Sequence, residues 1–142
     1  MSEMIPKVGV GVMIFRGGNQ TLLGKRKGSH GEGEYAFPGG HLEYGESFEE
    51  CAVRETREET GIEIANIQYQ LTANITKYGL KHYVHIGMTA DWESGEAELL
   101  EPDKSEQWGW YPIDNPPDPL FEMSRLAIVS FRTGQIIFDL LK

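Results

Sequence analysis

Hydrophobic residues alternate with glycine or polar residues along the first part of the chain. In residues 7–15, KVGVGVMIF, the apolar positions of one face are Val8, Val10, Val12 and Ile14. This period of two predicts a β-strand, and Gly9 and Gly11 between the apolar positions indicate that another backbone or a ligand passes close by. Residues 16–20, RGGNQ, are typical of a turn, and residues 21–27, TLLGKRK, are predicted to return as an antiparallel strand.

Glycine and proline separate the elements that follow. We expect a flexible loop over residues 28–34 and a short strand over 35–37 that the next Pro-Gly-Gly ends. Further strands are predicted over three segments: residues 66–76, 81–92 and 107–112. A second helix is predicted over about 120–132, ended by Gly134. The apolar tail IIFDLL, residues 136–141, is expected to pack on the body of the protein or on a partner.

The segment after residue 46 has the local signals of a helix. Ser47 is a good N-cap residue, and Glu50 three positions later completes a capping box. The helix is expected to run to about Thr60, and Gly61 provides its C-terminal stop. Several strands and two helices, without a repeat or a linker, predict one α/β domain over residues 1–142 with a mixed sheet.

Three glutamates of this predicted helix lie on one side of it. At about 100° per residue, the spacing i, i+3, i+4 places Glu55, Glu58 and Glu59 within an arc of about 100°. The adjoining arc holds the residues expected to face the core: Ala52, Val53, Thr56 and Thr60. We expect Phe48 and Cys51 to share the side of the carboxylates. The glutamates therefore border the buried face of the helix, where a groove can form.

Two interpretations of this acidic cluster are open. A charged run of this kind is usually the solvated face of a surface helix. However, like charges at these spacings destabilise an isolated helix, and partial burial increases the cost. Arg54 can pair with Glu58 four residues later, but one arginine cannot neutralise three carboxylates. A hard divalent cation can, because Mg²⁺ takes oxygen ligands and is usually shared with substrate phosphates.

Composition and charge restrict the function further. The 142-residue chain is 39% hydrophobic and 25% charged, which is ordinary for a soluble domain. Its formal net charge of −9 disfavours a nucleic-acid polymer as partner, although metal ions or a basic patch can still admit a small anionic substrate. The single cysteine, Cys51, fits a reducing compartment, and no activating histidine is evident beside it. There is no membrane-length apolar run, and the start MSEMIPK lacks signal-peptide features, so we expect a cytoplasmic protein.

The strongest signal is the spacing of residues around the glutamates. Seven residues form the pattern G-x5-E-x7-R-E-x-x-E-E-x-G: Gly40, Glu46, Arg54, Glu55, Glu58, Glu59 and Gly61. At about one chance in ten per fixed position, seven matches arise by chance about once in ten million start points. The segment Gly40–Ile62 resembles the signature of the Nudix hydrolase family from end to end. Thr56 stands where the family usually has an aliphatic residue, and because that position faces the core, the difference concerns packing.

The resemblance extends beyond this segment. Residues 22–55, LLGKRKGSHGEGEYAFPGGHLEYGESFEECAVRE, and residues 101–113, EPDKSEQWGWYPI, look like MutT-type nucleoside-triphosphate diphosphatases. The resemblance implies an α/β/α sandwich with a mixed sheet and a loop–helix–loop. It also implies hydrolysis of canonical or oxidised nucleoside triphosphates, such as dNTPs, CTP or 8-oxo-dGTP, to a nucleoside monophosphate and pyrophosphate. Mg²⁺ or Mn²⁺ would be required.

Roles for individual residues follow from the same resemblance. It implies four metal ligands: the backbone carbonyl of Gly40 and the carboxylates of Glu55, Glu58 and Glu59. One more acid from a later loop often joins them, and Glu101 is the first candidate and Glu106 the second because both precede the WGW segment. Glu55 or a neighbour would orient or deprotonate the attacking water, Arg54 would fix the rotamer of a glutamate, and Glu46 would be an outer carboxylate.

Basic residues are candidates for phosphate binding. Lys25, Arg26 and Lys27 form the one basic triplet of an acidic chain, with Arg26 on the strand face opposite the other two. They contact phosphate or simply keep the surface soluble. His41 follows the diglycine and can reach a phosphate.

Aromatic residues are candidates for contact with a base. Phe37 lines a base pocket or packs in the core. Trp108 and Trp110 share a strand face, from which one can stack on a base, although aromatic residues at alternate strand positions are more often core residues. His82 and His85 fall on opposite faces of a predicted strand, so we do not expect them to form a metal pair.

Other functions remain open within the same resemblance. A hydrolase for ADP-ribose, a nucleotide sugar or an isoprenyl diphosphate is one alternative. ADP-ribose enzymes of the family typically carry a proline about fifteen residues after the signature, and this chain has none between Pro38 and Pro102. A non-catalytic regulator that binds a nucleotide is another alternative, although such proteins usually lose signature glutamates. We expect a monomer or a homodimer.

Overall fold

The computed structural model describes residues 5–141, which form eight β-strands and two α-helices. The first four residues of the MSEMIPK start, from which no signal peptide is expected, lie outside this range. The strands are β1 (Lys7–Arg16), β2 (Gln20–Arg26), β3 (Tyr35–Ala36), β4 (Gly39–His41), β5 (Glu63–Ile75), β6 (Tyr83–Ser94), β7 (Ser105–Pro112) and β8 (Ile137–Asp139). The helices are α1 (Phe48–Thr60) and α2 (Glu122–Thr133). Within residues 5–141, neither helix has the length and apolar character needed to cross a bilayer.

Strand β1 lies at the centre of the sheet. The strand order along the main path is β3-β2-β1-β6-β5-β8. On one edge β1 pairs with β6 in parallel from Lys7 to Phe15. On the other edge it pairs antiparallel with β4 at Gly9–Gly11 and with β2 at Phe15 and Arg16. Strand β2 then continues with β3 and β7 as neighbours, so the two parts of the mixed sheet separate and leave room for a cleft.

The predicted end of the short strand at Pro-Gly-Gly is wrong in one respect. Strand β3 covers Tyr35–Ala36, but after Pro38 the chain returns to the sheet as β4. A Cβ on Gly39 would collide with the carbonyl oxygen of Val10. Glycine therefore allows β4 to approach β1 so closely, which confirms that another backbone passes beside this part of β1.

The other predicted elements are present, with boundaries shifted by a few residues. The capping box of α1 is confirmed: Oγ of Ser47 accepts from the N–H of Glu50 at 3.0 Å, and Oε1 of Glu50 accepts from the N–H of Ser47 at 2.9 Å. The helix ends at Gly61, whose φ of 77° is left-handed. Cys51 lies on the side of the carboxylates as expected, since Nη2 of Arg54 donates to its Sγ at 3.7 Å, and its side chain is also fully buried in the core. Val53, which we expected to face the core, is partly buried at its margin.

The two helices cover opposite faces of the sheet. Alternate residues of β1 show this, since Val10 and Val12 contribute to a core cluster with Ala52 of α1, whereas Met13 contributes to a cluster with Leu126 of α2. The result is an α/β/α sandwich with a mixed sheet. The apolar tail adds an edge strand, β8, which pairs in parallel with β5.

Candidate active site

Two glycines of β4 bring its backbone against the glutamates of α1. The N–H of Gly39 donates a 3.0 Å hydrogen bond to Oε1 of Glu59. A Cβ on Gly40 would overlap with the carboxylate of Glu55, so glycine is required for this close approach. Glu55 and Glu59 are partly buried here, whereas the side chain of Glu58 is 50% exposed. The structure therefore brings three of the predicted metal-site residues together and leaves the fourth nearer to solvent.

Arg54 is surrounded by carboxylates. Its Nε and Nη2 donate to the two oxygens of Glu46 at 2.6 and 3.0 Å. Its Nη1 donates to Oε2 of Glu55 at 3.0 Å and to Oε1 of Glu58 at 3.2 Å. Nη2 also donates to the carbonyl oxygen of His41 at 3.1 Å. A planar guanidinium can serve these acceptors together, so Arg54 orients two signature glutamates while Glu46 orients Arg54.

The carboxyl groups of the site differ in pKa. Hydrogen bonds from Arg54 lower the pKa of Glu46 to about 2. Burial raises the pKa of Glu55 above its usual value, against the opposing charge of Arg54. Burial also raises the pKa of Glu59 to about 8, although the N–H of Gly39 opposes the shift. Two partly buried carboxyl groups with raised pKa values mark a place where a cation would be stabilising.

The donor atoms fit a hard divalent cation. They are carboxylate and backbone oxygens, which Mg²⁺ and Mn²⁺ prefer. Among residues 5–141, no three histidine, cysteine, aspartate or glutamate side chains already form a metal-binding group. Arg54 donates to Glu55 and Glu58, while the N–H of Gly39 donates to Glu59. Small rotations of these side chains would be needed to bring them onto one ion.

The structure distinguishes the two candidates, Glu101 and Glu106, for the additional metal ligand from a later loop. Glu101 is partly buried, and its Oε1 is buried without a hydrogen-bond partner in the described part of the chain. Its charge contributes to the raised pKa of Glu59, so the two carboxylates are close enough to interact. Glu106 is exposed on β7. An orphaned buried oxygen near the other carboxylates is the better candidate ligand.

A cleft of about 690 Å³ extends from these glutamates between the two parts of the sheet. Its size is in the usual range for a small-molecule site. Five of the described residues that line it are basic: Arg26, Lys27, Arg54, Lys81 and Lys104. Five are acidic, so the formal charges of the cleft balance, although the chain as a whole carries −9. The cleft is thus much less repulsive to an anion than the rest of the surface.

The basic triplet divides in the structure. Arg26 and Lys27 line the cleft, whereas Lys25 of β2 pairs with Tyr35 of β3 and does not belong to the described cleft lining. Arg26 is occupied within its own loop: it donates to the carbonyl oxygen of His30 at 2.9 Å and to Oγ of Ser29 at 3.0 Å. Its guanidinium carbon also lies 4.2 Å from the centre of the Phe121 ring.

Three of the predicted aromatic and histidine candidates line the cleft: Phe37, His41 and Trp108. Phe37 belongs to the α2-side core and also lines the cleft, and its contact with a base stays a prediction. Trp108 lines the cleft and its ring covers Gly24, where a Cβ would lie 2.6 Å from the ring. Trp110 instead packs under Arg16. The ring of His41 is exposed at the cleft and stacks on Tyr83, with 5.8 Å between the ring centroids.

His85 and Lys104 are two of the cleft residues that were not predicted from the sequence as site residues. His85 lies over Gly11, where a Cβ would be 2.8 Å from Cε1, and burial lowers its pKa to about 4. The Gly9/Gly11 pattern was the available signal, because it predicts a group close to β1. Lys104, in the EPDK segment, is the other, and no local pattern distinguishes it from an ordinary surface lysine. Burial raises the pKa of the Cys51 thiol to about 12, so the thiolate form that a nucleophile needs is disfavoured.

Comparisons with known proteins identify the family of the chain. The family model described as NUDIX domain matches residues 5–129. Among curated proteins, the chain is 36% identical over 109 residues to the NAD-capped RNA hydrolase NudC of Pseudomonas aeruginosa and 34% identical to that of Pseudomonas putida. These alignments cover 76% of this chain but only 37% and 38% of the two relatives.

Solved structures show the same fold. The MutT NUDIX hydrolase from Burkholderia pseudomallei is 33% identical with a TM-score of 0.82, and the match covers 88% of this chain and 97% of that one. The NUDIX domain of Shewanella oneidensis NrtR, complexed with ADP ribose, is 20% identical with a TM-score of 0.75. That match covers 90% of this chain and 87% of the NrtR domain chain.

Proposed function

The chain belongs to the Nudix hydrolase family, and from that premise we propose that it is a divalent-metal-dependent nucleoside-triphosphate diphosphatase. It would release a nucleoside monophosphate and pyrophosphate. The observation that carries the proposal is the placement of Glu59. This partly buried carboxylate lies at one end of a cleft whose formal charges balance. It accepts a hydrogen bond from the backbone N–H of Gly39, and no basic side chain of residues 5–141 forms an ion pair with it.

The extent of the structural match supports a triphosphate as substrate. The chain covers 97% of the MutT protein from Burkholderia pseudomallei, at 33% identity. It spans little more than a third of the length of the curated NudC relatives. The segments 22–55 and 101–113, which look like MutT-type enzymes, contribute Arg26, Phe37 and Trp108 to the cleft. The cleft volume of about 690 Å³ is sufficient for a nucleotide.

The residues of the chain would act by positioning. The bound ion would neutralise charge on the phosphate oxygens and lower the pKa of a bound water. Glu55, Glu58, Glu59, the Gly40 carbonyl and Glu101 would hold that ion, and Arg54 would keep Glu55 and Glu58 in place. Because in-line attack at phosphorus needs alignment rather than a strong base, the rigidity of the β4–α1 contact is the main contribution of the fold.

A substrate panel tests this proposal. Wild type and Glu59→Gln would be assayed with Mg²⁺ against canonical NTPs and dNTPs, 8-oxo-dGTP, ADP-ribose and nucleotide sugars, scored by kcat/KM. We expect the highest value for a triphosphate, pyrophosphate as product, and a loss of 100-fold or more in the variant, on the order of magnitude seen for lost transition-state contacts. Equal, low turnover by both proteins on every compound would refute an enzymatic function.

A second candidate is hydrolysis of a dinucleotide diphosphate of the NAD type. The observation that favours it is the 36% identity to a protein named NAD-capped RNA hydrolase. NAD and a short NAD-capped RNA therefore belong in the same panel. A kcat/KM for NAD above that for every triphosphate would favour this candidate, whereas turnover of the capped RNA alone would also overturn the expectation that no nucleic-acid polymer binds.

A further inference from the structure

Lys104 lies at the junction between the metal-site carboxylates and the cleft. Its Nζ is 3.6 Å from Oε1 of Glu101, the buried oxygen that has no hydrogen-bond partner among the described residues. Lys104 also lines the cleft together with Glu55 and Glu59. Its positive charge lowers the pKa of both glutamates and so partly offsets the increase caused by burial. This effect agrees with a short distance between Lys104 and the two carboxylates.

The backbone of Lys104 is fixed although its side chain is not. Its N–H donates to the carbonyl oxygen of Glu101 at 2.9 Å, and its carbonyl oxygen accepts from the N–H of Lys27 at 2.9 Å. The next residue, Ser105, pairs with Arg26 of β2. The turn is therefore attached to the cleft wall, whereas the Lys104 side chain is 64% exposed and can change its direction.

The other cations of the cleft are less available for this position. Arg54 is held by Glu46, Glu55 and Glu58. Arg26 is held by its own loop. Lys27 and Lys81 line the cleft, but among the described residues neither forms an ion pair with a predicted metal ligand. Lys104 is the lysine that contacts the predicted ligand set directly.

We propose that Lys104 exchanges partners when the metal site is filled: it pairs with Glu101 in the metal-free protein and binds a substrate phosphate in the metal-loaded one. The inference rests on the metal and phosphate parts of the proposed function. A divalent ion that takes up the Glu101 carboxylate removes the partner of Lys104 and repels its ammonium group. The phosphate chain that shares the ion then offers the nearest anion. Metal binding and phosphate binding are therefore coupled through one flexible side chain.

The exchange predicts opposite effects of one substitution on two equilibria. In Lys104→Met, substrate-free protein should bind Mn²⁺ about 3- to 10-fold more tightly, because no ammonium group competes for Glu101. At saturating Mn²⁺, the same variant should bind tripolyphosphate about 10-fold more weakly, since a charge-assisted contact is lost. Lys104→Arg should restore most of the tripolyphosphate affinity. Both affinities would be measured at fixed ionic strength, Mn²⁺ by electron paramagnetic resonance and tripolyphosphate by calorimetry.

Lys77→Met is the matched control. Lys77 also lies 3.6 Å from a glutamate oxygen, that of Glu122, and is 51% exposed, but it does not line the cleft. Both variants change the net charge equally, so Lys77→Met should leave the two affinities within about twofold of wild type. Unchanged Mn²⁺ affinity in Lys104→Met, or equal changes in the two variants, would overturn the inference. If no triphosphate is hydrolysed but the opposite shifts occur, the proposed function fails and the exchange stands.

Discussion

The backbone N–H of Gly39 donates to Oε1 of Glu59 at 3.0 Å, across twenty positions of sequence. This bond joins a three-residue strand to the last turn of α1. The neighbouring Gly40 leaves the space that the Glu55 carboxylate occupies. The two glycines therefore set the position of two carboxylates through their backbone, and the site depends on the absence of a Cβ atom at these positions.

A methyl group at Gly40 is expected to displace Glu55. Gly40→Ala should lower kcat/KM by about 100-fold, because a displacement of about 1 Å is enough for such a loss. It should destabilise the fold by no more than about 1 kcal/mol, because the added Cβ meets only the end of the flexible Glu55 side chain. Gly9→Ala is the control, since a Cβ there meets its nearest atoms at 3.8 and 3.9 Å, which are ordinary contacts. Steady-state kinetics and urea unfolding measure both effects. Similar kinetic losses in the two variants would contradict the assigned role of Gly40.

Replacement of Arg54 by lysine should reduce turnover. Lysine cannot make the bidentate contact with Glu46 and hold Glu55 and Glu58 together, so we expect Arg54→Lys to lower kcat by about 10- to 100-fold with little change in KM. Arg57→Lys is the control on the same helix, because Arg57 makes its bidentate contact with Glu63 at the exposed end, at 2.7 and 2.8 Å. The prediction fails if both variants keep wild-type kcat.

The raised pKa of Glu59 predicts a pH-dependent gain of stability in Glu59→Gln. Between the ordinary value of 4.5 and about 8, native Glu59 binds a proton that the unfolded chain releases, so its contribution to wild-type stability falls as pH rises. Without divalent metal, the variant should match wild type near pH 4.5. It should exceed wild type by roughly 1–3 kcal/mol at pH 8, because one pKa unit corresponds to about 1.4 kcal/mol and relaxation recovers part of the cost. Urea unfolding at three pH values measures this, and a pH-independent difference would argue against it.

The choice between the two late acids can be tested by metal affinity. Glu101→Gln should weaken Mn²⁺ binding about tenfold or more, because a buried oxygen that has no hydrogen-bond partner among the described residues is removed from the ligand set. Glu106→Gln changes an exposed carboxylate on β7 and should leave the affinity within about twofold. Titration of the substrate-free proteins gives both values. The reverse order would assign the role to Glu106.

The apolar tail should stabilise the fold through one residue of β8. Phe138 is 5% exposed in the α2-side core, so Phe138→Ala should cost about 3–5 kcal/mol. Ile137 on the same strand is 59% exposed, and Ile137→Ala should change stability by less than about 0.5 kcal/mol. Thermal unfolding at several protein concentrations measures both. A large, concentration-dependent effect of Ile137→Ala would instead indicate that a partner covers the tail.

Local sequence was sufficient for helix α1. The capping residues Ser47 and Glu50, the stop at Gly61 and the side shared by Glu55, Glu58 and Glu59 depend on residues within a few positions of each other. Such interactions are fixed by helix geometry, so they can be predicted without the rest of the chain. Cys51 lies on the carboxylate side as expected, whereas its complete burial was decided by tertiary packing.

Contacts between distant residues were decided by the tertiary structure. The sequence alone determined that three glutamates share one side of a helix and that a short glycine segment precedes it. The fold decided that β4 returns to β1 and meets Glu59, that Glu101 rather than Glu106 is buried near them, and that Lys104 pairs with Glu101 beside the cleft. The physical reason is separation along the chain: helix periodicity places residues three or four apart, whereas only packing of the whole sheet brings a strand, a helix and a later loop to one point.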